Sequence, residues 1–219
     1  MLRKVLAAVC LFTLVGVANT ASAEEGGQWI AGTHYEVLEI PVSVRDESKL
    51  EVVEVFSYAC IHCYNFDPYV KAWSGNLTDD VDFRLLPAIF NSDWEKLAQA
   101  FYAAEALGAR EAVHTRMFEG IHNNHEDLRQ PEILAPIFAD LAGVKEQDFH
   151  SAWNSFSVKS RIQQAKGLMR AYRITGVPTL IVNGKYKVDG RMAGGNVAML
   201  EVVDFLLAQE RAAGAEAQQ

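Results

Sequence analysis

Cysteine is scarce in this chain. Its 219 residues hold three, Cys10, Cys60 and Cys63, too few for a disulfide framework. Internal repeats and low-complexity tracts are absent too, which excludes solenoids and fibrous arrays. The one compositional oddity is an Ala/Gln/Glu-rich tail after Arg211, expected to fray. Positive charge is in short supply, with 20 Lys and Arg against 28 Asp and Glu and a net charge of −8. That balance argues against binding nucleic acid or adsorbing to anionic lipid. Apolar residues make up 50% of the chain, so a full core can form without staples.

The N-terminus carries an export pattern. Arg3 and Lys4 form a basic start, Val5 to Val17 are almost wholly apolar, and Ala21-Ser22-Ala23 supplies the small residues that a signal peptidase accepts. The apolar stretch is too short for a confident membrane span and has no stop-transfer flank. Cys10 would be the acylated residue of a lipoprotein, but Val9 before it is bulkier than that cleavage tolerates. Cleavage after Ala23 is expected instead, and it removes Cys10. The remaining 196 of the 219 residues suit one large domain, or one domain with an insertion. Losing Arg3 and Lys4 takes the charge from −8 to −10.

Cys60 and Cys63 then stand alone in an exported chain, as Cys60-Ile61-His62-Cys63 after the run Val52-Val53-Glu54-Val55-Phe56. A bridge across so small a loop removes little unfolded-state entropy, so it is poorly explained as a staple. At a strand-to-helix junction the first sulfur meets the positive end of a helix, which favours thiolate, and His62 can add charge. Half of a zinc site is the alternative. It would need two further ligands, and His122 and His125 have a spacing shorter than the usual zinc-finger range. Redox chemistry is the better reading and no metal is expected.

Along the chain, Tyr35 to Ile40 and Glu51 to Ser57 read as strands, with Asp46-Glu47-Ser48 as a turn between them. Phe66, Val70, Trp73 and Leu77 recur at helical spacing after the CxxC, and Val81 to Leu86 is a strand stopped by Pro87. From Asn91 to Tyr172 the pattern is helical. Ser92 and Glu95 suggest a capping box, and Gly108 a stop. Val113, Met117 and Ile121 mark a second helix, ended by Asn123-Asn124-His125. Pro131 opens a third that Gly143 closes, with Pro136 expected to kink it or delay its start. Val158, Ile162, Ala165, Met169 and Tyr172 mark a longer one. Thr179 to Val182 and Lys185 to Val188 flank Asn183-Gly184, a strong two-residue hairpin signal. Val197 to Leu207 closes the chain as an amphipathic helix. This order describes an α/β, thioredoxin-like fold with an inserted α-helical domain. The expected boundaries are a signal peptide at 1–23, a first thioredoxin-like part with the CxxC at 24–90, the helical insert at 91–166 and a second thioredoxin-like part at 167–219.

Three stretches carry a family resemblance. They are Glu54-Val55-Phe56-Ser57-Tyr58-Ala59-Cys60-Ile61-His62-Cys63-Tyr64, Ala152-Trp153-Asn154-Ser155-Phe156, and Gly176-Val177-Pro178-Thr179 followed by Val182-Asn183-Gly184-Lys185-Tyr186. Together they resemble the periplasmic thiol:disulfide oxidoreductases of the DsbA type. The resemblance implies an oxidase, without a bound cofactor, that donates a Cys60–Cys63 disulfide to unfolded exported proteins with free thiols. It also implies reoxidation by a DsbB-type membrane quinone reductase, a periplasmic location and a monomer. Two positions depart from the family pattern. Its usual Pro-His between the cysteines is Ile61-His62 here. A lysine usual on the strand after the CxxC helix is replaced by Leu85, with Arg84 beside it.

The candidate catalytic residues are Cys60, Cys63, His62 and Glu54. Cys60 is the sulfur that substrate attacks, and Cys63 is expected to be buried with a normal or raised pKa. A low pKa at Cys60 makes it a good leaving group and its disulfide oxidising; DsbA itself is the standard instance of both effects. Glu54 interrupts an apolar strand, which is costly unless the carboxyl has a partner or a task. It either lies at the sheet rim or, as the resemblance favours, moves protons for Cys63. Asp67 is either a second such group or a solvated helix residue. Val177 and Pro178 are the candidate substrate-binding pair. A trans bond is the ordinary expectation there, whereas the resemblance implies a cis bond facing the CxxC and a free backbone edge for substrate. His34, His114, His122, His125 and His150 form no ligand constellation and read as ordinary surface or insert residues. Rival functions are a disulfide isomerase or reductase, a substrate-holding chaperone, and a metal-binding module. Isomerases of this type usually carry an extra N-terminal domain, for which about 25 residues are too few.

Overall fold

Val52 to Phe56 form a central strand because apolar partners cover both of its faces. The structure is a computed structural model that describes residues 29–216. The signal peptide, Cys10 and the cleavage point after Ala23 lie outside the described residues. β1 (Glu36–Val37) and β2 (Leu50–Phe56) precede α1 (Ile61–Ser74) and β3 (Val81–Pro87). Next come α2 (Ser92–Ala106), α3 (Arg110–His122), α4 (Pro131–Ala142), α5 (Glu146–Trp153) and α6 (Phe156–Ala171). The chain returns through β4 (Thr179–Val182) and β5 (Tyr186–Asp189), the short α7 (Gly190–Ala193) and α8 (Asn196–Glu216).

The five strands are ordered β1-β5-β4-β2-β3, with β3 parallel to β2 and the other neighbours antiparallel. Successive side chains of β2 alternate between two cores. Val53 and Val55 join a cluster built with α2 to α6, and Val52 joins one built with Phe66 and Val70 of α1 and with α8. Glu54 therefore shares the face of Val52, the side on which α1 packs. The helical block enters between β3 and β4, as the sequence order requires for a thioredoxin-like unit with an insertion.

Several local expectations need correction. β1 is far shorter than Tyr35 to Ile40. Beyond Val37 the chain only touches the hairpin, through the Leu38 N–H to the Lys185 carbonyl and the Val42 N–H to the Gly184 carbonyl. That crossing explains Gly184: at φ +62° an added Cβ would lie 1.9 Å from the Val42 oxygen. The N-cap of α2 is Asn91, whose side chain accepts from the Trp94 N–H at 3.0 Å, and not Ser92. Asn caps as well as Ser. Pro136 neither delays nor breaks α4, which begins at Pro131 and ends at the left-handed Gly143. α5 is a separate helix inside the stretch read as one continuous pattern. α6 runs unbroken past residue 166 to Ala171. α8 extends through the tail to Glu216, because alanine and glutamate favour helix where fraying was expected.

Candidate active site

The turn from β2 into α1 sets the reactive sulfur. The Ser57 hydroxyl accepts from the Ala59 N–H at 3.2 Å, and its carbonyl accepts from the Cys60 N–H at 3.0 Å. Cys60 is thereby the N-cap of α1, in extended conformation, and its sulfur accepts from the Cys63 N–H at 3.4 Å. The first turn of α1 holds no acidic residue to oppose a thiolate there. Both cysteines are free thiols, Cys60 half-buried and Cys63 only 1% exposed.

These surroundings split the two thiols apart. Cys60 is lowered to about 6, first by a hydrogen bond from the Cys63 side chain, then by the Cys63 and His62 backbone N–H groups and last by the charge of His62. His62 is exposed and lowers Cys60 through its backbone N–H first and the charge of its ring second. Cys63 is pushed far up, chiefly by burial. The Cys60 thiol also donates to the Val177 carbonyl at 3.5 Å. The Val177–Pro178 peptide bond is cis, and the Thr179 hydroxyl ties down its loop through the Gly176 carbonyl at 2.9 Å.

Glu54 lies inside the sheet, not at its rim. It is 4% exposed, and burial, followed by the nearby charge of Asp67, raises it to about 8. Its parallel neighbour on β3 is Leu85, so the position where the resemblance looks for a lysine offers no cation. Arg84, one residue away, faces the opposite side of the sheet. It donates to Glu51 at 2.8 and 3.2 Å and lies 3.5 Å from the Tyr172 hydroxyl.

Two histidines read from sequence as ordinary residues belong to this neighbourhood. His114 of α3 contacts the Tyr58 hydroxyl through Nδ1 at 2.8 Å and Asp67 Oδ1 through Nε2 at 3.0 Å. His122, two turns on, donates from Nε2 to the Tyr58 carbonyl at 2.8 Å and stacks on Tyr64. Their i, i+8 spacing on one helix face was the available signal. His34 instead accepts from the Ile30 N–H, and His150 packs on Phe149, both apart from the cysteines. Among the described residues no group of three or more His, Cys, Asp or Glu could hold a metal ion. Nor is any helix there long and apolar enough to cross a membrane.

Known proteins are similar to this chain over most of its length. The profile of the DSBA-like thioredoxin domain matches residues 77–206. A thiol:disulfide interchange protein DsbA of Pseudomonas aeruginosa is 43% identical over 87% of this chain and 90% of its own length. One of Azotobacter vinelandii is 42% identical over 97% of each. The chain belongs to the DsbA family. A crystal structure of Pseudomonas aeruginosa DsbA superposes with a TM-score of 0.81 at 43% identity, covering 85% of this chain and 97% of that one. DsbA from Xylella fastidiosa gives 0.76 at 35% identity, covering 82% and 96%. The fold is therefore the thioredoxin-like DsbA fold, and the chain is a thiol:disulfide oxidoreductase. The isomerase, chaperone and metal-binding readings are not favoured.

Proposed function

We propose that Cys60 and Cys63 form the disulfide this protein donates to unfolded exported proteins. A substrate thiolate attacks the Cys60 sulfur and Cys63 leaves, taking a proton from Glu54. A second substrate thiolate then attacks the substrate sulfur of that mixed disulfide and expels Cys60 as a thiolate. Two substrate thiols become one disulfide, and the enzyme disulfide becomes a dithiol. The observation that carries this reading is the contrast between a partly exposed Cys60 lowered to about 6 and a buried Cys63 raised by its surroundings. A stable Cys60 thiolate is a good leaving group and favours the reduced enzyme, which makes the disulfide oxidising.

The backbone edge at Val177 and Pro178, facing Cys60, suits pairing with an extended substrate segment. Ile61, 47% exposed, adds an apolar lip beside the sulfur. Reoxidation by a DsbB-type quinone reductase would return the electrons to the membrane, with Glu54 receiving the Cys63 proton. The export pattern supports a periplasmic location with cleavage after Ala23, and the element order supports a helical insert between the two thioredoxin-like parts; the resemblance implies a monomer. Mature protein should oxidise a reduced, unfolded two-cysteine substrate faster than glutathione disulfide does, and should bind zinc weakly. A bridge that stays inert toward that substrate, or efficient insulin reduction without oxidation, would overturn the oxidase reading.

A further inference from the structure

Tyr58 is held at both ends by α3. His122 takes its carbonyl and His114 its hydroxyl, and the other nitrogen of His114 reaches Asp67, one turn beyond Cys63 on α1. The three side chains are enclosed: Tyr58 is 1% exposed, and the His114 and Asp67 side chains are 13% and 16% exposed. Phe56 and Phe118 pack on the His114 ring. The protonation pattern follows from the partners. A carboxylate only accepts, so Nε2 carries the hydrogen toward Asp67, and Nδ1 accepts from the Tyr58 hydroxyl, whose proton burial holds in place. In this tautomer each nitrogen of the imidazole is used.

We propose that His114 is a positioning residue of the exchange reaction: it anchors the Asp67 carboxylate at the place from which that charge faces Glu54. The inference rests on the reading of Glu54 as the proton carrier for Cys63 and extends it to the helical insert. Without the donor from His114, the Asp67 carboxylate would turn toward water. That change weakens the negative field that helps keep Glu54 protonated. The other charged and titratable groups in the neighbourhood are Arg110 and Glu111, which pair with one another on α3, and Glu105 of α2, which pairs with Arg161. Those pairs leave Asp67 as the charge that acts on Glu54.

Carboxyl NMR of Glu54 against pH, in the oxidised protein where neither cysteine titrates, tests the proposal directly. His114→Leu should lower the Glu54 midpoint by about half a pH unit or more. His114→Gln offers a donor to Asp67 and an acceptor to Tyr58, and should restore it. Asp67→Asn keeps an acceptor for His114 but removes the charge, and should lower the midpoint by itself. An unchanged midpoint in Asp67→Asn or in folded His114→Leu, an upward shift, or a Gln variant that falls as far as Leu would each overturn the proposal. Should His114→Leu fail to fold, the Gln and Asp67→Asn variants decide the matter. The pH–rate profile of Glu54→Gln reports separately on the proton-carrier reading. A profile identical to wild type sinks that reading, whereas the NMR midpoints still judge His114.

Discussion

The Cys60 sulfur lies 3.5 Å from the Val177 carbonyl oxygen, so the reactive thiol already faces the backbone edge beside the cis peptide bond. Cys63 lies within the same turn of helix and donates its backbone N–H to Cys60 across 3.4 Å, while its own sulfur is buried. One cap position thus divides the pair into an accessible sulfur and a sheltered one.

Trapping should reveal that division. Cys63→Ala is expected to attack the disulfide of an unfolded, disulfide-bonded substrate through its Cys60 thiolate, releasing one substrate thiolate and accumulating the mixed disulfide. Cys60→Ala should accumulate about tenfold less or lower, because the Cys63 thiolate is both buried and scarce. Mass spectrometry of quenched mixtures measures the ratio. Comparable trapping by both variants would reverse the assignment of the attacked sulfur.

The source of the low Cys60 pKa can be separated by substitution. The Cys63 hydrogen bond is its largest cause and the His62 charge its smallest. Cys63→Ala should therefore raise the Cys60 pKa by about 1–2 units, and His62→Ala by about half a unit. A half-unit shift corresponds to roughly 15 mV of two-electron potential, in the less oxidising direction. Ile61→Pro should move it less still, because the two backbone donors at His62 and Cys63 survive. Thiolate absorbance against pH measures all three variants, and a glutathione equilibrium adds the potential of those that keep both cysteines. A His62 effect larger than that of Cys63 would place control in the imidazole.

The chemistry of this site was legible because it is local. Cys60, Cys63 and the capping turn lie within one strand-to-helix junction, and the Asn183-Gly184 hairpin obeys a two-residue rule with positive φ at both positions. Glu54 was visible as a charged residue inside an apolar run, although its depth was not. What could not be read is what long-range packing decides. His114 and Asp67 are far apart in sequence, and nothing in either segment announces that α3 packs against α1. Arg84 and Leu85 show the same gap. Their opposite facings depend on strand register, and a shift by one residue would exchange them.

Burial of Glu54 gives a pH dependence whose sign is fixed. Its folded pKa is about 8 against an ordinary 4.5, so between these values the unfolded chain has released a proton that the folded one retains. Stability should fall as pH rises through this window and level off above about 8. Glu54→Gln removes the titration, so in the oxidised protein it should flatten the curve and gain a few kcal/mol at pH ~8. Urea unfolding from acid to mild alkali measures both. In reduced protein Cys60 opposes the trend: lowered from 9.0 to about 6, it adds stability as pH climbs from 6 to 9 that is lost again as pH falls through 6. A Glu54→Gln curve parallel to wild type would mean the carboxyl is solvated.

Arg84 supplies the contrasting case. Its guanidinium bonds Glu51, whose side chain is 2% exposed, on the face of the sheet away from Glu54. Removing the cation strands a buried carboxylate, so Arg84→Met should cost about 3–5 kcal/mol of stability. The Cys60 pKa and the redox potential should stay at their wild-type values, since the proposed proton path lies on the Glu54 face of the sheet. Leu85→Lys should do the reverse. It places a cation on the Glu54 side, lowering the Glu54 midpoint and shifting the pH profile of exchange toward acid, provided that thermal melting shows the variant folded. Potentials against glutathione and pH–rate profiles of both variants compare the two faces directly. A change in potential for Arg84→Met with no profile shift for Leu85→Lys would place the proton path on the Arg84 side.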